Sequence, residues 1–270
     1  MTIPFQPNLD VKPEVTAFFD TPTNTVSYVV KDPRSKACAV FDSVMDIDYA
    51  SGRITYGGAD AIITHIKDHG LTLEWLIETH VHADHLSAAP YIQRHLGGRL
   101  GIGENITIVQ DVFGKIFNEG TEFQRDGSQV DRLFKDGESY EIGAMTAHVM
   151  HTPGHTPACT THVIGDAAFV GDTLFMPDGG SARADFQAAM PAFFIARSGA
   201  CWNCRAKSAS SSATIMAPMA ATSNGRPRSL KSACTTSMLA TASAKMSLWP
   251  CARPATSRSP CRSSSSPRCK

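Results

Sequence analysis

The chain has 270 residues, 25 basic and 25 acidic side chains, and no formal net charge. That neutrality argues against a nucleic-acid or membrane-surface partner. The absence of a run of about 18 apolar residues argues against a membrane span. Residues 1–15 have neither a basic start nor an apolar stretch, so they do not read as a secretory signal, and a soluble cytoplasmic protein is expected.

In chain order, residues 24–31 (NTVSYVVK) and 37–42 (ACAVFD) are β-branched or apolar runs around a turn-like DPRS, the pattern of a hairpin. Residues 59–69 (ADAIITHIKDH) carry apolar residues at helical spacing and stop at Gly70, a C-terminal cap. Leu73 to Glu78 reads as a short buried strand that delivers the chain into THVHADH, and a helix is expected from Leu86 to Leu96. Further on, HVM, TTHVI and AAFV read as short strands. Strands interspersed with helices indicate an α/β domain over residues 1–187.

The averages conceal a break after that domain. Between Ala188 and Lys270 there is no Asp, Glu or His, but there are 12 Lys or Arg, 17 Ser and six of the eight Cys. One reading of this Ser/Arg/Cys-rich tail is a disordered basic segment. The other is out-of-frame translation. If each tail codon is re-read one nucleotide upstream, Gln187 onward can encode PGGDARILYRSI, and the stretch from Ala213 to Arg228 can encode HDYGPNGRDIQWETT. Codon degeneracy leaves most positions free, but each Met-Ala pair must yield Gly. The recovered text is acidic and continuous with what precedes Phe186. On this reading the native domain is truncated after residue 186, and 188–270 is not a native domain.

Chemistry concentrates upstream of the break. THVHADH places His80, His82, Asp84 and His85 in one loop at a strand's end, a density of imidazole and carboxylate suited to zinc, iron or manganese. HTPGHTP adds His151 and His155 in a Pro-Gly turn, and VGDTLF presents Asp172 after a short apolar strand. His65, His69 and His95 lie in helical stretches and read as solvated or capping residues. His148 and His162 read as structural, and direct ligation by His151 is not expected. Cys201 and Cys204 resemble half a zinc motif with no second half at ligand spacing, so chance accounts for them.

The order THVHADH, TPGHT, GDTLF resembles the metallo-β-lactamase superfamily in its glyoxalase II-like branch. The longer text ETHVHADHLSAAPYI, HTPGHTPACTTHVIGDAAFVGDTLFMPD and SARADF is similar to the bacterial persulfide dioxygenases, also called sulfur dioxygenases or β-lactamase hydrolase-like proteins. The resemblance runs from about Phe18 to Phe186, and the offset reading of the tail extends it to a His-Asp-Tyr segment. It implies an α+β sandwich, αββα, with the site at one edge. It also implies Fe(2+) held by His80, His155 and Asp172, a two-histidine, one-carboxylate set with open positions for dioxygen and a substrate sulfur. His82, Asp84 and His85 match second-metal positions of dinuclear hydrolases and would otherwise orient ligands. Arg183 matches an arginine near the glutathione site, and Asp185 a position supporting the metal network. The implied reaction converts glutathione persulfide and dioxygen to sulfite and glutathione. The alternatives are a dinuclear Zn(2+) glutathione-thioester hydrolase, whose second site normally needs a C-terminal His that this chain lacks, and an inactive frameshifted product. The oligomeric state is left open, a homo-oligomer included.

Overall fold

The computed structural model describes residues 5–175, Ala182 and the backbone of residues 214–216. Contacts divide the chain into two units, Met1–Met238 and Leu239–Lys270, and every described residue lies in the first.

The first sheet is built from β1 (Glu14–Asp20), β2 (Thr25–Lys31), β3 (Ala37–Phe41), β6 (Thr72–Ile77), β8 (Arg99–Gly103) and β9 (Arg132–Phe134), in that spatial order. The expected hairpin is present: β2 and β3 pair antiparallel, with Tyr28 opposite Phe41 and Lys31 opposite Cys38. From β3 onward the pairs are parallel, so β3, β6 and β8 end at the same edge. The second sheet runs β10 (Ser139–Ile142), β11 (Met145–His151), β12 (Thr160–Ile164), β13 (Ala167–Phe169) and β14 (Thr214–Met216). β11 and β13 both run antiparallel to β12, so they too deliver their ends to one edge. β14 lies within the tail set apart by composition and pairs parallel with β13. A small sheet of β5 (Arg53–Thr55), β4 (Val44–Asp48) and β7 (Leu86–Ser87) flanks the sandwich.

Period-two alternation of the first-sheet strands explains the layering. Val26, Tyr28, Val30, Phe41 and Ile77 turn inward against Tyr140, Met145, Val149, Ile164 and Phe169 of the second sheet. Val29, Cys38, Val40 and Leu76 point outward, where they meet Ile62, Ile63 and Ile66 of α1 (Gly57–Asp68) and Ile92 of α2 (Ala89–Leu96). The first sheet is therefore buried on both faces, which favours its apolar strands. α1 ends where the sequence predicts, with His69 as its cap and Gly70 at φ +59. α2 begins later than predicted: Leu86 and Ser87 pair with β4 instead, and the helix starts at Ala89 with Pro90 in its first turn. Proline is tolerated in a first helical turn but not deeper, so a helix from Leu86 is disfavoured. A third helix, α3 (Ile106–Ile116), packs Ile106 and Val109 against Ile102 and Ala158.

Candidate metal centre

The loops at this shared edge gather the ionisable residues. After β6, residues 79–85 supply His80, His82, Asp84 and His85; the turn after β11 supplies His155; a 3-10 turn after β13 (Gly171–Thr173) supplies Asp172. Asp172 Oδ2 lies 3.8 Å from His80 Nε2 and 3.6 Å from His155 Nε2. These gaps are too long for hydrogen bonds. They are close to the roughly 3 to 3.6 Å between two ligands that share a cation at about 2.1 Å. The ligand atoms of His80, His155 and Asp172 lie within 4.8 Å of one another, and so do those of His82, Asp84 and His85.

The hydrogen bonds around the histidines set their tautomers. Thr79 Oγ1 donates to Asp42 Oδ2 at 2.9 Å, so the 3.0 Å contact between Thr79 Oγ1 and His80 Nδ1 must be a donation from the imidazole. His80 Nε2 then carries the lone pair that faces Asp172. His82 Nε2 donates to Asp42 Oδ1 at 3.3 Å, and His85 Nδ1 donates to the Leu86 carbonyl at 3.1 Å. A metal-binding imidazole is held as His80 and His85 are, with one nitrogen on an oxygen and the other turned away from it. His85 Nε2 is buried without a hydrogen-bond partner, which is costly for a lone pair unless a cation meets it. The donor set therefore fits a divalent metal.

Electrostatics separates the histidines. Burial, reinforced by His82, His155 and His85, holds His80 well below the usual histidine range, so it is neutral and available as a ligand. For His82 burial acts in the same direction, but the contacts with Asp42 and Glu78 outweigh it and raise the imidazole well above that range. Burial raises Asp172, with His155 opposing it. Glu78 accepts a bond from Ser87 Oγ, while its Oε2 lies 3.4 Å from His82 Nε2 as a charge contact without hydrogen-bond geometry.

Two features fix this edge tightly. Asp42 has φ +48, an unusual conformation for a residue other than glycine, and it binds Thr79 through both backbone N–H and hydroxyl. Gly171 has φ +48, and a Cβ there would collide with Thr79 Oγ1. Glu78 and Thr79 stand in the quoted ETHVHADH text and Asp42 at the end of ACAVFD, but their supporting roles escape the sequence reading because each depends on contacts between β3, β6 and the following loop that no local spacing encodes.

The remaining histidines take supporting positions. His151 Nε2 donates to the Pro157 carbonyl at 2.7 Å and ties down the turn that carries His155. His148 stacks on Phe5, with ring centroids 4.4 Å apart. His69 and His95 each bond through Nδ1 to a helix carbonyl one turn back. Cys38 and Cys159 are buried free thiols, both pushed up to about 12 by burial. Arg183, Asp185, Cys201 and Cys204 lie outside the described residues. Among the described residues no helix is long and apolar enough to cross a membrane.

The chain is 53% identical over 182 residues to a probable metallo-hydrolase of Burkholderia pseudomallei, covering 64% of this chain and 62% of the relative. It is 28% identical over 171 residues to the human mitochondrial persulfide dioxygenase ETHE1, covering 63% of this chain and 55% of that protein. The chain thus spans less than two thirds of the length of these curated relatives. The crystal structure of ETHE1 from Myxococcus xanthus superposes with a TM-score of 0.55 at 19% identity, covering 79% of this chain and 77% of the other, a likeness of fold. The family model of the metallo-beta-lactamase superfamily matches residues 20–206, well over half the sequence, and the chain belongs to that superfamily.

Proposed function

We propose that His80, His155 and Asp172 hold one iron(II) and that the chain oxidises glutathione persulfide to sulfite and glutathione with dioxygen. One observation carries this reading. The ligand atoms form a compact two-histidine, one-carboxylate set, while the neighbouring His82 is engaged by Asp42 and Glu78. A set of that composition leaves adjacent positions open for two small reactants. The likeness to a protein named as a persulfide dioxygenase supports the same reading. Bound iron would supply the activation of dioxygen.

The chain's residues supply position and charge. Thr79 and Asp42 hold His80 in the tautomer that turns Nε2 outward. His151 fixes the turn beneath His155. Arg183 is proposed to pair its guanidinium with a glutathione carboxylate in bidentate fashion. In the overall reaction the outer sulfur of the persulfide is oxidised and dioxygen reduced. The S–S bond breaks, glutathione leaves as the thiol, and sulfite takes two oxygen atoms from dioxygen and one from water.

A second reading is hydrolysis of a glutathione thioester at a dinuclear zinc centre, with water as the nucleophile. The unpartnered His85 Nε2 beside Asp84 favours it, as does the likeness to a probable metallo-hydrolase of Burkholderia pseudomallei. The test is oxygen uptake by the iron-loaded chain with glutathione persulfide, set beside hydrolysis of lactoylglutathione. Oxygen uptake with sulfite release and slow thioester turnover is expected. Rapid thioester hydrolysis without oxygen uptake would overturn the dioxygenase reading.

A further inference from the structure

A buried polar chain crosses the sandwich interior and ends at the metal centre. Tyr140 on β10, His162 and Thr160 on β12, and Thr79 after β6 are all buried. Thr160 Oγ1 donates to the Thr79 carbonyl at 3.1 Å, so its 3.1 Å contact with His162 Nε2 must be a donation from the imidazole. His162 Nδ1 is then an acceptor, and Tyr140 Oη donates to it at 3.0 Å. Each hydrogen runs one way, from Tyr140 to His162 to Thr160 to the Thr79 carbonyl. The edges of Phe41 and Phe134 pack on the His162 ring, each with centroids 5.6 Å away. Burial pushes His162 down to about 3, so the ring stays neutral over the physiological range.

We propose that Tyr140 and His162 act, through Thr160, as positioning residues for the metal ligand His80. The Thr79 carbonyl belongs to the peptide that joins Thr79 to His80, and it also accepts the Thr160 backbone N–H at 2.8 Å. Two donors on that oxygen fix the peptide plane and hence the direction in which His80 leaves the backbone. The hydroxyl of Thr79 meanwhile takes the His80 Nδ1 proton. Thr79 is therefore held from the second sheet through its carbonyl and from Asp42 through its N–H and hydroxyl. A buried histidine, even one whose two nitrogens are hydrogen-bonded, stabilises less than a fitted hydrophobe. The orientation it imposes on Thr79 gives His162 a role that such a hydrophobe would not supply.

The inference rests on His80 being a metal ligand, and it is tested by cobalt(II) titration of the full chain with its visible spectrum, alongside thermal unfolding. Tyr140→Phe and His162→Leu should bind cobalt about 10-fold more weakly, the low end for residues that orient ligands, with displaced absorption bands. His162→Gln, which keeps a donor and an acceptor, should recover much of the affinity. Ile164→Ala, buried on the same strand but outside the polar chain, should lower the melting temperature and leave cobalt binding unchanged. Should His162→Leu fail to fold, Tyr140→Phe, which removes one hydroxyl, decides the matter. Parent-like cobalt affinity and spectrum in Tyr140→Phe would overturn the inference alone. A parent chain that took up no cobalt would overturn it together with the metal assignment.

Discussion

The two histidine groups at the sandwich edge share a loop but are built differently. His80, His155 and Asp172 come from three separated segments, and the two sheets must dock before these residues meet. His82, Asp84 and His85 come from one turn of four residues, with Asp84 exposed. The first group is braced from both sheets, through Thr79, Asp42 and Thr160. In the second group His82 leans on Asp42 and Glu78, while His85 has a single carbonyl partner. Ligands drawn from a docked sandwich are preorganised, and their geometry is as rigid as the fold. Ligands drawn from one loop depend on that loop's own bonds, and on further ligands to complete a site.

Substitutions should separate the two groups by size of effect. His80→Ala or Asp172→Ala removes a member of the braced set and should reduce metal affinity by more than about 100-fold, beyond what a supporting residue costs; elemental analysis after dialysis checks this. Asp42→Asn disturbs the support of both His80 and His82 and should cost about 10- to 100-fold by the same measurement. If Asp42→Asn matched His80→Ala, the support and the ligand would not be separable. Asp84→Ala, in the exposed loop group, should leave iron occupancy within about twofold of the parent if one ion is held by the first group alone.

Acid offers a gentler probe of the bracing. His162 titrates near 3 in the fold and near 6.5 when unfolded. The unfolded chain therefore binds one more proton between these values. The stability from this residue is fully present above about pH 6.5 and is lost as pH falls towards 3, by about 1.4 kcal/mol per unit. Urea unfolding of the metal-free chain at about pH 7 and about pH 5 should show that loss. His162→Gln should lessen it by the corresponding amount, and an identical pH dependence in the variant would contradict the assignment.

Much of the candidate centre is legible in the sequence because its proposed ligands sit in short runs at strand ends: THVHADH, TPGHT and GDT each announce themselves. The β2–β3 hairpin and α1 are legible for similar reasons, since DPRS and Gly70 punctuate them locally. The supporting shell is not legible. Asp42 meets Thr79 only because β3 and β6 are adjacent and parallel. His162 reaches Tyr140 across β11, a neighbour relation that no local pattern encodes. The helix expected from Leu86 yields its start to pairing with β4, a tertiary contact that overrides helical spacing. α3 opens with Ile-Thr-Ile-Val, a β-branched run of strand-like composition, yet it is helical. Arg183 remains a proposal from the sequence.

We propose above all that one metal ion is held by His80, His155 and Asp172. Reconstitution of the full chain with iron(II), followed by elemental analysis, tests it most directly. About one iron per chain is expected, lost in His80→Ala and kept in Asp84→Ala. Two ions per chain, with one of them lost in Asp84→Ala, would contradict it.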